Sequence, residues 1–210
     1  MYDGFKVLVD IGHGDGDPGA VAPAKPNGWL VPPRDEVIEA DLASHLGSEI
    51  ARQLWRMDVD AESASGRPSA KHRVGPIRSW GEHAMGDGKL PVVVSVHFNA
   101  AEDVRANGCE ALVRPGCRNP VAEHVLEAMA ASIGGIYPTV NRGIKERQLA
   151  VLSPFPMSSV LIEPAFVSNP LEIWFWLASG WSVRSVGIAI AHGIVSGAEA
   201  ILAAQKGGDQ

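Results

Sequence analysis

The chain has 210 residues, 46% hydrophobic and 20% charged, with a formal net charge of −6 at pH 7, a size and balance that suit one core-bearing domain rather than two. The acidic balance, with Lys and Arg scattered and no basic block, excludes general attraction to nucleic acid or to an anionic membrane surface. The only two cysteines, Cys109 and Cys117, exclude a disulfide framework and lack zinc-ribbon spacing, so both are expected to be ordinary thiols.

The N-terminus shows no positive segment followed by an uncharged apolar one, so the fold is expected to begin directly, without a secretion leader. Lys6–Asp10 reads as a strand feeding a long loop, Gly12 to Pro33, in which Pro18, Pro23, Pro26, Pro32 and Pro33 forbid a helix. Leu42, Leu46, Ile50 and Leu54 then recur every fourth residue, which predicts a helix of about 17 residues from the 3.6-residue period. Met57–Ala61 is a short strand and Lys71–Met85 a weak helix. Pro91 opens VVVSV, a β-branched run of the kind buried on both faces of a parallel sheet.

Gly108–Val113 and Gln148–Leu152 are predicted as further strands on either side of a helix over Pro120–Ile133, and Val160–Ile162 as another buried strand. Ser168 or Asn169 can cap the next helix, with Pro170 in its first position. Trp174, Phe175, Trp176 and Trp181 are expected to divide between core and surface. Trp181–Ala204 closes the fold as a packed helix, because Arg184, His192 and Glu199 interrupt it too often for a membrane span.

Strands alternating with helices predict a single three-layer α/β domain with a mostly parallel or mixed sheet flanked by helices, over residues 1–204, with a flexible tail at 205–210. Such sheets bind ligands beyond the carboxyl ends of their strands. His13 follows the first strand, His97 follows VVVSV and Glu163 follows VLI. Two imidazoles and a carboxylate supply three Zn²⁺ ligands and leave a fourth position open, as hydrolytic sites require. Taken singly, a histidine at a strand end is usually a hydrogen-bonded one, and Glu39 would be an ordinary first-turn carboxylate favoured by the helix dipole. Glu163 is different, since an acid directly after Val160, Leu161 and Ile162 is costly to bury unpaired. His45, His72, His83, His124 and His192 lack partner motifs and are expected to be structural or exposed.

Four stretches in order, VDIGHGDGDPGA, EADLASHL, SVHFNA and LIEPAFVSNPLE, resemble the motifs of the zinc-dependent N-acetylmuramoyl-L-alanine amidases of amidase type 3, a family that includes autolysins and phage endolysins. NGCEALV and RGIKERQLAVL resemble the family too, and the likeness runs from Lys6 to about Gly193. The resemblance implies one zinc ion held by His13, Glu39 and His97, with Glu163 as catalytic proton shuttle. Glu36, three residues before Glu39 and expected on the same helical face, is the competing second ligand. Asn99 and the backbone at Gly14 are candidates for substrate positioning.

Asp15 stands where the family commonly has glycine, and the loop from Ala22 to Pro33 and the stretch Arg67–Met85 do not align with the family pattern. The implied reaction is hydrolysis of the amide between the lactyl group of N-acetylmuramic acid and L-alanine in peptidoglycan. A monomeric endolysin, made in the cytoplasm and acting on the wall, is the expected setting. A catalytically silent peptidoglycan-binding domain is one alternative. Another is a different zinc peptidase or deacetylase, although HExxH is absent from the chain.

Overall fold

A computed structural model describes residues 2–23, 36–64, 70–152, 158–178 and 180–207. Pro26, Pro32 and Pro33 of the proline-rich loop, Arg67 and the last three residues lie outside these. Strand β1 (Tyr2–Ile11) is followed by a small antiparallel pair, β2 (Val21–Pro23) with β3 (Glu36–Ile38), and then by helix α1 (Glu39–Arg56), strand β4 (Val59–Ala64) and helix α2 (Ala70–Gly86). Next come β5 (Leu90–Val96), β6 (Cys109–Val113), α3 (Pro120–Gly134), β7 (Asn141–Glu146), β8 (Ser158–Glu163), α4 (Pro170–Ala178) and α5 (Gly180–Gly207).

The main sheet has six strands in the order β4-β1-β5-β8-β6-β7. β4, β1, β5 and β8 run parallel, β6 runs antiparallel to β8, and β7 is parallel to β6. The sheet is therefore mixed, as predicted, and the carboxyl ends of β1, β5 and β8 meet the amino end of β6 at one edge. Strand periodicity sends alternate side chains to opposite faces. Val7, Val9, Val92, Val94, Val96, Val160 and Ile162 pack in one large core with Leu46 and Ile50 of α1, Val125 and Met129 of α3 and Ile190 and Ile194 of α5. On the other face Leu8 and Val93 meet Ile77 of α2, while Leu112 and Leu161 meet Val151 and Leu152.

One strand was misplaced by the sequence pattern. Gln148–Leu152 is not a strand: its buried residues Val151 and Leu152 belong to a 3-10 turn, Ala150–Leu152. The strand in that region is β7, whose NRGIKE sequence is exposed or half-buried throughout. An edge strand needs no continuous apolar run, so hydrophobicity pointed to the wrong segment. The first helix begins at Glu39, so Glu36 belongs to β3 and does not share a helical face with Glu39. The helix-capping choice between Ser168 and Asn169 resolves to Asn169, whose Oδ1 accepts from the amides of Leu171 and Glu172.

Helix α5 is long and apolar enough to cross a membrane by length and composition, but half of its most apolar window is buried inside the protein. Its glycines allow that burial. A Cβ on Gly197 would stand 2.4 Å from Val121 Cα, and one on Gly193 2.8 Å from Val125 Cα. Because the obstacle is α3 backbone, Gly197→Ala is expected to lower stability by about 1–3 kcal/mol, the usual cost of overpacking. An unchanged urea midpoint for this variant would show that α3 and α5 part without cost.

Candidate active site

The first strand ends in a turn that a chain of ordinary residues would resist. His13 has φ +61° and Asp15 φ +49°, with Gly14 at +103° and Gly16 at +93°. Glycine adopts this left-handed region without penalty, whereas a bulky residue there is strained and must be held by its surroundings. The turn closes through Gly14 N to Asp17 O at 2.7 Å and Asp17 N to Gly14 O at 3.1 Å. The amide of Gly14, a candidate for substrate positioning, is thus engaged within the turn. The reversal points the His13 ring back over the sheet edge, where its Nε2 lies 3.1 Å from Glu39 Oε1.

Glu39 is the first residue of α1 and is 5% exposed. The preceding residue, Ile38, offers no side-chain cap, so the loop itself satisfies the helix start: Glu39 N donates to Ala20 O and Ala40 N to Pro18 O. In return the Glu39 carboxylate accepts from Ala20 N at Oε2 (2.9 Å) and from Phe98 N at Oε1 (3.1 Å). Phe98 is locked by its buried ring, edge-on to Trp176 at 5.1 Å. Trp176 is buried while Trp174 is 38% exposed, which divides these two between core and surface as expected; the Trp181 side chain lies outside those described.

His97 follows the central strand β5 and presents Nδ1 to Glu39 Oε1 at 3.0 Å. Its ring meets that of His13 edge-on, with centroids 4.9 Å apart. His13, Glu39 and His97 thus offer three donor atoms within 4.8 Å of one another. A tetrahedral ion with bonds of ~2.0–2.1 Å separates its ligand atoms by about 3.3 Å, and the two pairs that share Glu39 Oε1 stand at 3.0 and 3.1 Å. The donor types and spacing fit a divalent metal of the zinc class. Burial pushes the Glu39 carboxyl up, but hydrogen bonds from His13, His97, Ala20 and Phe98 outweigh it and hold Glu39 far below the usual carboxylate range. The hydrogen bond to Glu39 raises His13 against the opposing effect of burial.

Glu163 ends β8. Val96 is in register with Ile162, so His97 and Glu163 emerge side by side from adjacent parallel strands. Beyond the sheet the two segments stay joined, Asn99 N donating to Ala165 O and Val167 N to Asn99 O. Among the described residues Glu163 Oε2 is buried with no hydrogen-bond partner. Burial pushes the Glu163 carboxyl up to about 7, assisted by the nearby charges of Glu110 and Glu39 and opposed by Lys145 and Arg142. A carboxyl poised near neutrality, with a free oxygen, suits a group that takes and returns a proton.

The structure brings together His13, Glu39, His97 and Glu163 and leaves Glu36 outside. Glu36 is exposed on β3, opposite Pro23. Asn99 is close by, but its side chain is committed, with Nδ2 donating to Glu110 Oε1 at 3.0 Å and Oδ1 accepting from Ala100 N. Glu110 went unassigned in the sequence. It is 5% exposed and directly opposite Glu163 in the β6/β8 ladder, where Arg142 Nε at 2.7 Å and Lys145 Nζ neutralise it. Arg142 also lies over the Phe166 ring at 5.0 Å.

A second buried pair, Asp10 with Arg73 at 3.1 Å, is completed by Ser95 Oγ donating to Asp10 Oδ2, and Arg73 stands 3.5 Å from His97 Nε2. The NGCEALV and RGIKERQLAVL stretches already held Glu110, Arg142 and Lys145, but nothing in either segment reveals that they face Glu163. Both cysteines stay single, and burial pushes the Cys109 thiol up to about 12, consistent with an inert packed residue.

The model of a protein family described as "N-acetylmuramoyl-L-alanine amidase" matches residues 7–196. The N-acetylmuramoyl-L-alanine amidase LytC of Bacillus subtilis (strain 168) is 28% identical over 170 residues, covering 79% of this chain. The match spans only 30% of LytC, so the chain corresponds to part of that protein. Among solved structures, N-acetylmuramoyl-L-alanine amidase AmiC2 of Nostoc punctiforme superposes with a TM-score of 0.70 at 25% identity, over 91% of this chain and 95% of that one. An N-acetylmuramoyl-L-alanine amidase from Clostridium difficile 630 shares the fold with a TM-score of 0.71 at 23% identity, over 92% and 96% of the two chains.

Proposed function

Because the chain belongs to the N-acetylmuramoyl-L-alanine amidase family, we propose that it hydrolyses the lactyl–L-alanine amide of peptidoglycan with a zinc ion held by His13, Glu39 and His97. The observation that carries this reading is the buried Oε2 of Glu163, without a hydrogen-bond partner among the described residues, together with a convergent His/Glu/His triad. A zinc ion bound there would supply Lewis acidity toward a carbonyl oxygen and toward water. The chain's own residues do the rest. Glu39, held ionised, contributes a negative donor whose second oxygen is anchored to Ala20 N.

Glu163 accepts a proton from the attacking water at Oε2 and returns it to the departing amine of L-alanine, which cannot leave as an anion. Its elevated pKa serves both transfers, since a carboxylate of ordinary acidity is a weaker base toward water and is almost wholly ionised at neutral pH, leaving no acid form to hold the proton. The Arg142 and Lys145 cations on Glu110 limit the rise, leaving a useful fraction ionised. A lytic, endolysin-type role on the bacterial wall is the setting we attach to this activity.

The test is product analysis on purified peptidoglycan and defined muropeptides. Release of intact stem peptides with a free N-terminal L-alanine is expected, together with a fall in turbidity of a wall suspension. Cleavage inside the stem peptide, or loss of N-acetyl groups with the lactyl amide intact, would replace this reading by a peptidase or a deacetylase. A wall that is bound but left uncut would replace it by a silent binding domain.

A further inference from the structure

The loop after β1 carries more than one metal-competent residue. If His13 coordinates through Nε2, the nitrogen that faces Glu39 Oε1, its Nδ1 must carry a proton and be given something to point at. That nitrogen is shut off from solvent and faces Asp17 Oδ2 at 3.1 Å, close but bent away from an ideal hydrogen-bond line. The Asp17 carboxylate does not swing freely, because its other oxygen, Oδ1, accepts from Gly19 N at 3.1 Å. Gly19 in turn lies so close under the triad that a Cβ on it would stand 2.6 Å from Glu39 Oε2 and 2.7 Å from His13 Cδ2, at φ +66°. One short loop thus touches the far side of two triad members: Asp17 supports His13, and Ala20 N supports Glu39.

Resting on the zinc reading above, we infer that Asp17 is a positioning residue for the metal site, the outer carboxylate that fixes the tautomer and ring orientation of His13 so that Nε2 faces the ion. Two features of the chain make such a support necessary. His13 holds a left-handed backbone conformation that a bulky residue does not choose unaided. Its ring is also 23% exposed, less enclosed than the Glu39 side chain at 6%. A carboxylate facing Nδ1–H fixes the orientation of the ring and makes Nε2 a better electron donor.

The experiment is zinc affinity measured by competition with a chromophoric chelator, on the full chain. Asp17→Asn keeps the Oδ1 acceptor for Gly19 N but turns an amide NH₂ toward Nδ1–H, setting donor against donor. Its zinc dissociation constant is expected to rise roughly 10–100-fold, the usual cost of losing an outer-shell partner, with the melting temperature of the chelated protein unchanged. Asp15→Asn removes the same charge from the same turn at an exposed residue, and affinity there should stay within about twofold because exposed charges are strongly screened.

Wild-type affinity in Asp17→Asn would overturn the role of Asp17 while leaving the metal site intact. Equal losses in Asp17→Asn and Asp15→Asn would overturn it in favour of a general charge effect. A wild-type protein that binds zinc no better than His13→Ala would overturn both this inference and the metal reading it rests on.

Discussion

Glu163→Gln is expected to keep its full complement of zinc and to lose roughly 10²–10⁴-fold in kcat on muropeptide, the range associated with a positioned acid/base group. The amide is nearly isosteric with the acid and Glu163 is not one of the three triad residues, so metal content by elemental analysis should match the wild type. What is lost is the ability to hold a proton at Oε2 and release it. Full lytic activity in this variant would remove Glu163 from the mechanism.

The same substitution also tests why the group is poised. The fold raises the Glu163 carboxyl from 4.5 to about 7, so the folded state prefers the protonated acid. The stability this confers is present in full below pH 4.5 and is lost as pH rises through about 7. In the chelated protein Glu163→Gln should therefore be no more stable than wild type at pH 4 and more stable at pH 8, by up to roughly 3 kcal/mol. Equal melting temperatures for the two proteins at pH 8 would show that ionised Glu163 is not the costly buried group described above.

Glu39→Gln is expected to abolish stoichiometric zinc binding and activity together, whereas Glu36→Gln leaves both unchanged. Glu39 is the hub of the triad: Oε1 faces both imidazoles and the Phe98 amide, and Oε2 holds Ala20 N. The amide can satisfy only part of that donor set and offers no negative charge to an ion. The loss in affinity should exceed the roughly 10–100-fold typical of an outer-shell change. The opposite outcome, zinc lost in Glu36→Gln and kept in Glu39→Gln, would require the β2–β3 hairpin to move Glu36 from its exposed position into the site.

Much of this was readable in the chain because strands and helices leave local signals. Leu42, Leu46, Ile50 and Leu54 mark α1 by their spacing, VVVSV marks a buried strand, and a parallel arrangement puts whatever follows such strands at one edge. That logic placed His13, His97 and Glu163 near each other. It failed at β7, where an exposed edge strand carries no apolar run, and at Glu36, which the hairpin removes from the helix.

By itself the sequence determined the α/β class, the residue types able to bind a metal or move a proton, and their positions at strand ends, since all of these follow from local periodicity and side-chain chemistry. Only the tertiary structure decided that Glu39 rather than Glu36 meets both histidines. The same is true of Glu110, which faces Glu163 with Arg142 and Lys145 across it, and of Asp17, which stands behind His13. Strand order, the antiparallel turn of β6 and the left-handed reversal at His13 are set by packing between distant segments. The distance between two carboxylates, and hence the proton affinity of either, is a property of that packing and not of any stretch of sequence.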